Sequence, residues 1–407
     1  MALGPTKLGR IWCKQQAAWG TAETSFADAD AIDAQGMFMP AGEQEALGQP
    51  TQRPVFGASD KKPGSKAGAT AQLTFVLTNC NVGVGGAIAT TIEHKLIADA
   101  FGTIQQLAAI GGISGGSADQ LLVASASADW IGQGAGVLLD NGNRQISWVQ
   151  TVDTAPTPDE VNLPFDMEDT PGNSAGASVT VAFGTGGLAN LPFTMQFATA
   201  GSVDGGFRAY DGRVTNCTLT ANSKTQVTVA ITLQFLDWDY VTGLTAPAFS
   251  FPRTQLGPVI NTAGVYDSIA DAYECFSEVS IVVTQTLAEA LCAQSAQGVS
   301  QLVTTDRTAV ITERKTTEDI YADMASQSTP GDAVKRAWYL SSRGAQQGYH
   351  VAAYGPALQV QSTSKPVDLG GIWGFERVLE VRNVIAPGDG TGGTSTVKGT
   401  AFRVSFA

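Results

Sequence analysis

Strict alternation of apolar and polar residues marks the clearest strands in the chain. Apolar residues from Val227 to Phe235 alternate with Thr228, Thr232 and Gln234. A period of two residues predicts a strand that buries one face, and the second face here is small, polar and uncharged. The same pattern predicts further strands over 69–79, 274–287 and 398–407.

Helical spacing is found in two places. In residues 91–102, Ile92, Leu96 and Ile97 share one stripe, a threonine stands at the N-cap position and Gly102 follows as a stop. A second helix is predicted over 332–344, because a proline and an aspartate stand at its start and an arginine and a glycine at its end.

Turn-forming residues predict the connections. Residues 36–68 are rich in Pro and Gly and predict an extended loop, and 287–301 predicts a loop or a short helix. Asp-Asn-Gly-Asn at 140–143 between two apolar runs predicts a β-hairpin. This hairpin and a strand near 177–183 indicate a small β-barrel-like insert.

The order of these elements repeats along the chain. Each half has a strand, a long loop, a strand, a helix, and then two strands joined by a polar turn, as in 212–235 and 355–383. This repetition indicates a tandem duplication of one domain. We expect an α+β protein, mostly β. The first domain then spans 1–116 and 186–250, an inserted small β domain spans 117–185, and the second domain spans 251–407.

Composition and charge narrow the function classes. The 407 residues include 46 Gly and only 15% charged residues, which argues against disorder and favours a β-rich protein that other subunits cover. The net charge of −13 argues against holding nucleic acid through clustered cations. A like-charged wall could still surround nucleic acid without retaining it.

The sequence has few features that indicate membrane targeting, secretion or disulfide formation. The sequence has no apolar run of about 18 residues and no apolar core of a secretion signal near its amino terminus, so no membrane association is expected. Five widely spaced cysteines form no CxxC pair, and we expect reduced, buried thiols.

The sequence contains only weak candidates for catalytic or metal-binding residues. His94 and His350 have no Cys, Asp or Glu at metal-ligand spacing, and packing roles are expected for both. The glycines of 132–136 precede a hairpin and not a helix, which argues against a dinucleotide loop. We therefore expect no enzyme activity, no metal and no cofactor.

Two stretches resemble major tail tube proteins of phages with long non-contractile tails. QQAAWGTAETSFADADAIDAQG, residues 15–36, is similar to their opening, in which WGT or YGT and small acidic residues lead into the first strand. Residues 64–79 and 91–103 resemble the next strand and the helix behind it. The resemblance in order and spacing covers most of the chain outside 117–185.

This resemblance implies tandem tail-tube-like β-sandwich or barrel domains, each with a flanking helix, and a structural function. Tail tube proteins form stacked rings through which the genome passes from capsid to host, without specific binding of DNA. A chain with two such domains implies homotrimeric rings with pseudo-sixfold symmetry, and hexameric rings are the alternative. The implied partners are further copies of the chain and the tape measure, terminator and distal tail proteins. The implied location is the virion tail, after synthesis and assembly in the host cytoplasm.

In such a ring the apolar strand faces pack outward and the polar faces line the lumen. The residues predicted to face the lumen are Thr228, Thr232, Gln234, Gln359, Gln361, Glu376 and Glu380. The loop 46–68 and its counterpart at 286–304 are predicted to reach the adjacent ring. Lys61, Lys62 and Lys66 in the first loop would then contact acidic surface there.

Two other functions remain open on the sequence. A capsid decoration or adhesin-like virion protein would use 117–185 as a binding domain and form closed oligomers. A β-rich glycan-cleaving enzyme would use carboxylates such as Asp166 and Glu168 as an acid/base pair.

Overall fold

The computed structural model describes the chain in a series of segments. The described residues are 10–40, 46–48, 61–63, 68–76, 90–107, 110–111, 113–117, 119–123, 136–140, 144–149, 151–163, 174–176, 178–184, 191–198, 205–222, 225–242, 263–266, 276–292, 299–316, 336–344, 350–382 and 400–407.

These segments are almost entirely β-structure, as the sequence predicts. One short 3-10 turn (Asp28–Asp30) and one helix, α1 (Ile92–Phe101), accompany the strands. In chain order the strands are β1 (Arg10–Gln15), β2 (Ala31–Ile32), β3 (Ala34–Pro40), β4 (Ala46–Gly48), β5 (Lys61–Pro63), β6 (Ala69–Val76), β7 (Gly102–Leu107), β8 (Ile110–Gly111), β9 (Ile113–Ser117), β10 (Gln120–Val123), β11 (Gly136–Asp140), β12 (Arg144–Trp148), β13 (Thr151–Asp153), β14 (Asp159–Asn162), β15 (Ser174–Gly176), β16 (Ser178–Phe183), β17 (Phe193–Ala198), β18 (Gly205–Asn222), β19 (Thr228–Thr242), β20 (Ala263–Tyr266), β21 (Glu278–Leu291), β22 (Val299–Thr316), β23 (Arg336–Gly344), β24 (Val351–Asp368), β25 (Trp373–Val381) and β26 (Arg403–Phe406).

Eight of these strands form one continuous antiparallel ladder, which we call the main sheet. Its spatial order is β3-β6-β19-β18-β21-β22-β25-β24. The pairing of β18 with β21, from Asn216 opposite Thr284 to Asn222 opposite Glu278, joins the strands of the first half of the chain to those of the second.

The two halves of the main sheet have the same strand order. Numbered along the chain, the first four strands (β3, β6, β18, β19) lie in the order 1-2-4-3, and so do the second four (β21, β22, β24, β25). In both groups the third strand has 18 residues. Its N-terminal part also pairs with the strand that precedes it along the chain, β17 or β23. The domain boundaries proposed from the sequence remain predictions, but this shared order agrees with a repeat.

A second layer covers the apolar face of the main sheet. Strands β7, β16 and β26 pair in succession, and β26 pairs with the N-terminal part of β24. Side chains of this layer, among them Val181, Trp338 and Phe402, belong to the same core cluster as Leu73, Ile231 and Ile311 of the main sheet. Burial of this shared apolar area is the main force that holds the two layers together.

Only part of the segment 117–185 forms a sheet of its own. The small sheet has the order β13-β14-β10-β9. The hairpin predicted at 140–143 is confirmed by the pairing of β11 with β12. However, β12 pairs with β23, β15 with β8, and β16 with both β7 and β26, so these strands belong to the second layer.

The helix predicted after Thr91 is confirmed, and its ends have the expected caps. The Thr91 side chain accepts a hydrogen bond from the backbone N–H of His94, and the backbone N–H of Thr91 reaches the His94 ring in a capping box. Gly102 ends the helix with φ of 107° and donates its N–H to Ala98 O.

A buried ion pair attaches α1 to the main sheet. The Arg213 Nε lies 2.9 Å from Asp99 Oδ1, and both side chains are 2% exposed. The Val214 N–H donates to the same carboxylate at 2.8 Å. Arg307 on β22 donates from Nε to Ala100 O at the end of the helix and to Gln285. Helix α1 is thereby bonded to strands from both halves of the main sheet.

Three sequence predictions differ from the structure. The helix predicted over 332–344 is strand β23 in its described part, and its residues 338–341 are buried within the second layer. The described part of the loop or short helix predicted over 287–301 lies mainly in strands, because β21 runs to Leu291 and β22 begins at Val299. The extended loop predicted over 36–68 contains most of β3 and the short β4–β5 hairpin.

A hydrogen-bonded clamp holds the segment that carries the WGT sequence. The buried Asp211 has φ of 55° and accepts hydrogen bonds from the Gly20 N–H at 2.8 Å and from Gln16 Nε2 at 3.1 Å. The Gln16 Oε1 in turn accepts the Asp211 N–H at 2.8 Å. Burial raises the pKa of Asp211, while the hydrogen bonds from Gly20 and Gln16 oppose the shift.

In the described residues, no helix combines the length and the apolar run that crossing a lipid bilayer requires.

Candidate functional site

The candidate site is the half-exposed face of the main sheet, which we call the polar face. Ladder register places its residues in cross-strand rows, since directly opposed residues point to the same side of a sheet. One row consists of uncharged polar residues from five successive strands: Gln72, Thr232, Asn216, Thr284 and Thr308. Within it, Asn216 Nδ2 lies 3.3 Å from Thr284 Oγ1.

The opposite, buried face of the main sheet is apolar over most of its width. Leu73, Ile231, Cys217, Val283 and Ala309 are successive partners there, and all are at most 1% exposed. Burial raises the pKa of the Cys217 thiol to about 12, which keeps it protonated. The contrast between the two faces fixes the register, because a slip by one residue would exchange them.

The register brings most of the predicted lumen residues onto the polar face. Thr228 lies opposite Thr220, and Thr232 opposite Asn216. Gln234 faces Thr70 on β6. On the second half of the sheet, Gln359 lies opposite Glu380, and Glu376 lies opposite Arg314. Gln361 is exposed and lies at a register shift next to Gln359. The grouping on one face follows from the structure, and a role in lining a channel remains a prediction.

One row of the polar face is charged, and the sequence reading missed its centre. Arg314 on β22 lies opposite Glu278 on β21 and opposite Glu376 on β25. Its Nε donates to Glu376 and its Nη1 to Glu278, both at 2.9 Å. The hydrogen bond to Glu376 and the charge of Glu278 outweigh partial burial and raise the pKa of Arg314. Glu278 and Arg314 are 36 residues apart in sequence, so no local spacing signals the contact.

A second arginine has a similar arrangement near the end of β25. Arg382 Nε donates to Gln359 Oε1 at 3.0 Å, and its Nη1 donates to Glu380 Oε1 at 3.1 Å. Both carboxylates that the sequence predicted for the lumen, Glu376 and Glu380, are thus hydrogen-bonded to arginines.

A buried charged group underlies the second half of the sheet. Glu313 accepts hydrogen bonds from Arg377 Nε and, at 3.1 Å, from Trp338 Nε1, and Lys315 Nζ lies 3.6 Å from its carboxylate. All four side chains are at most 3% exposed. Trp338 belongs to the second layer, so this group joins the two layers through polar contacts.

The strands that flank the connections predicted to reach another ring meet at one end of the main sheet. Antiparallel register places the end of β3, the start of β6, the end of β21 and the start of β22 at this common end. The first connection contains Lys61 and Lys62 on β5, whereas Lys66 lies outside the described residues. The second is a long hairpin, in which Leu291 is 82% exposed.

Both histidines are buried. His94 is buried in α1, and its ring lies 5.3 Å from that of Phe406. His350 is buried next to β24, where its backbone pairs with Ala407. Asp166 and Glu168 lie outside the described residues. Within the described segments, no group of three or more His, Cys, Asp and Glu side chains is arranged to hold a metal ion.

Comparison with known proteins does not place the chain in a family: no family model matches it, and no curated protein matches its sequence.

Proposed function

We propose that this chain is a structural subunit of a phage tail tube, which assembles into trimeric rings that stack into a conduit for DNA. The observation that carries the proposal is the main sheet, with its repeated 1-2-4-3 strand order and its single polar face. A chain that contains two equivalent four-stranded units can supply, in three copies, the six units of a pseudo-sixfold ring.

The two edges of the main sheet support ring closure. Among the described residues, β3 pairs only with β6, and the part of β24 beyond Leu358 pairs only with β25. Exposed edges invite pairing with another chain, and closure into a barrel removes them. Pairing of β24 in one copy with β3 in the next would close such a barrel.

The dimensions of this barrel agree with the passage of duplex DNA. Three eight-stranded sheets give 24 strands, or about 115 Å of circumference at ~4.8 Å per strand. The backbone diameter is then about 37 Å without strand tilt and about 48 Å at a tilt of ~40°. A layer of side chains ~5 Å deep on each wall leaves about 27–38 Å, which exceeds the ~20 Å width of a B-form duplex.

The polar face suits a wall along which DNA slides. Thr, Ser and Asn side chains fill the rows of Thr232 and Thr220 between β19 and β22, whereas Ala230, Val282 and Val310 lie in the row between them. Arg314 and Arg382 are hydrogen-bonded to carboxylates. Each free cation would add a phosphate contact and slow the movement of DNA. The strands that flank both long connections meet at one end of the sheet, which supports contact with an adjacent ring.

Electron microscopy of the purified chain over a concentration series tests the assembly. Hollow rings or tubes with a channel of at least ~20 Å are expected. Ring symmetry distinguishes trimers from hexamers. Closed particles that do not stack at any concentration would contradict the proposal and favour the capsid decoration or adhesin-like alternative.

Cross-linking tests the edge pairing directly. Gln35 on β3 and Gln361 on β24 are both exposed, so a Gln35→Cys/Gln361→Cys variant treated with a short bismaleimide should give covalent oligomers that end at three chains. Each single variant is the matched control, because it lacks one reactive edge. Equal cross-linking of the single and double variants would contradict edge pairing.

A deletion tests the stacking contact. Removal of residues 50–66 should leave soluble rings that no longer form tubes, because the first long connection is lost. Circular dichroism and the ring diameter control for folding. Tubes of normal length from this deletion would contradict the role assigned to the connection.

A further inference from the structure

We propose that Glu278 and Glu376 withhold the Arg314 guanidinium from the phosphates of a duplex nucleic acid that moves along the polar face. The inference rests on the proposed function and adds a specificity-determining pair to it. The partner is defined by its chemistry, a polyanionic duplex, and the two carboxylates determine that this face does not retain it.

The geometry of the row carries the inference. The three groups come from three adjacent strands at one register position, with Arg314 in the centre. The two carboxylates accept from different nitrogens, Nε and Nη1, at 2.9 Å each. A guanidinium binds phosphate best through two parallel N–H donors. Here neighbouring carboxylates on both sides already engage two of its donor groups.

Stability alone gives little reason for this arrangement. The Arg314, Glu278 and Glu376 side chains are 38%, 32% and 21% exposed, and ion pairs at such positions contribute little to folding. A threonine would continue the polar rows without charge. An arginine exposed to this extent would contact phosphate if the carboxylates were absent.

The same arrangement occurs a second time on this face. Arg382 is held by Glu380, with its Nη2 at 2.9 Å from the carboxylate, and by Gln359. Lys365 on β24 lies directly opposite Glu376, which extends the charged row to a fourth strand. Cations and carboxylates therefore alternate across this part of the face.

The test compares DNA binding by matched variants of the full chain. Glu278→Gln/Glu376→Gln keeps the side-chain shape and leaves an acceptor for the guanidinium, but removes both negative charges. Asp119→Asn/Asp153→Asn is the control, because it changes the net charge equally at exposed positions in or next to the small sheet, whose strands form a sheet separate from the main sheet. A third variant adds Arg314→Gln to the first.

The measurement is the fluorescence anisotropy of a labelled 30-base-pair duplex, titrated with each variant between about 20 and 150 mM NaCl. We expect the Glu278→Gln/Glu376→Gln variant to bind about tenfold tighter than the wild type at the lowest salt. The slope of log K against log[salt] should become steeper by about 0.9 for each arginine that engages a phosphate. The added Arg314→Gln change should abolish the gain.

Three results would overturn the inference. One is unchanged affinity in the Glu278→Gln/Glu376→Gln variant, and another is an equal gain in the Asp119→Asn/Asp153→Asn control. The third is a gain that persists after Arg314→Gln. Microscopy of the wild type separates the two proposals. A gain in DNA affinity that depends on Arg314, in a protein that forms no rings or tubes, would contradict the tail tube but would still support the role of Glu278 and Glu376 in withholding Arg314.

Discussion

The buried Asp99–Arg213 pair provides the sharpest stability prediction. Asp99→Ala leaves the guanidinium of Arg213, whose side chain is 2% exposed in the wild type, without its carboxylate. It also removes the acceptor of the Val214 N–H. Loss of one partner of a buried ion pair costs about 3–5 kcal/mol, and an unsatisfied buried N–H costs about 1–3 kcal/mol. Because neighbouring groups can relax, we expect a total loss of about 3–5 kcal/mol.

Urea unfolding, followed by tryptophan fluorescence and circular dichroism, measures this loss. Asp99→Asn is the conservative comparison, because it keeps an acceptor for Val214 and removes only the charge, and its loss should be smaller. Asp99→Ala/Arg213→Met removes both charged groups at similar volume. This double variant should be more stable than Asp99→Ala alone, since the uncompensated charge is gone.

Two results would refute the reasoning. A loss below ~1 kcal/mol for Asp99→Ala would mean that Arg213 finds another partner or water. If the losses of Asp99→Ala and of the single variant Arg213→Met added up to the loss of the double variant, the pair would not be energetically coupled. Either result would also weaken the assignment of α1 as a rigid attachment to the main sheet.

Three further predictions concern single residues. Gly102→Ala should lower the free energy of unfolding, measured in urea, by more than ~1 kcal/mol, because a Cβ at φ of 107° would lie 2.0 Å from Gly184 O. Gly370→Ala is the control, because Gly370 has φ of 81° but lies in open space, and its loss should be smaller. Equal losses would contradict the steric cause. Asp211→Asn keeps the acceptor for the clamp and removes the buried charge. Because the pKa of Asp211 is higher in the folded state than in the unfolded state, its protonation stabilises the folded wild type at low pH, and this contribution is lost as the pH rises. The free energy of unfolding of the variant should therefore increase relative to that of the wild type between pH 4 and pH 7. A constant difference would refute this. Cys217, with its pKa of about 12, should resist iodoacetamide at pH 8 in the native protein and react in guanidinium, as mass spectrometry would show; native labelling would contradict its burial.

Patterns contained in one segment were predictable from the sequence. The strict alternation of β19 identified both its buried face and its polar face, because a period of two has one solution on a sheet. The capping residues Thr91 and Gly102 bounded α1 correctly, since caps act within one turn of the helix.

Features that depend on distant residues were not predictable. Residues 332–344 carry helix-capping signals, yet Trp338 and Leu340 are buried in β23 between β20 and β24. Burial of large side chains in a sheet outweighs local helix signals of a few tenths of a kcal/mol per residue, roughly. The partners of Arg314 were missed for the same reason, because Glu376 is 62 residues away.

The long-range pairing of the main sheet has a consequence for synthesis of the chain. Strand β6 ends at residue 76, and its partner β19 begins at residue 228. At about 5–20 residues per second, the ribosome needs roughly 8–30 s to make the intervening segment. Strand β16 waits still longer for β26, which pairs with it through residue 406. During these intervals apolar strands lack their partners and are prone to aggregation, so we expect the nascent chain to depend on chaperones until its last strand emerges.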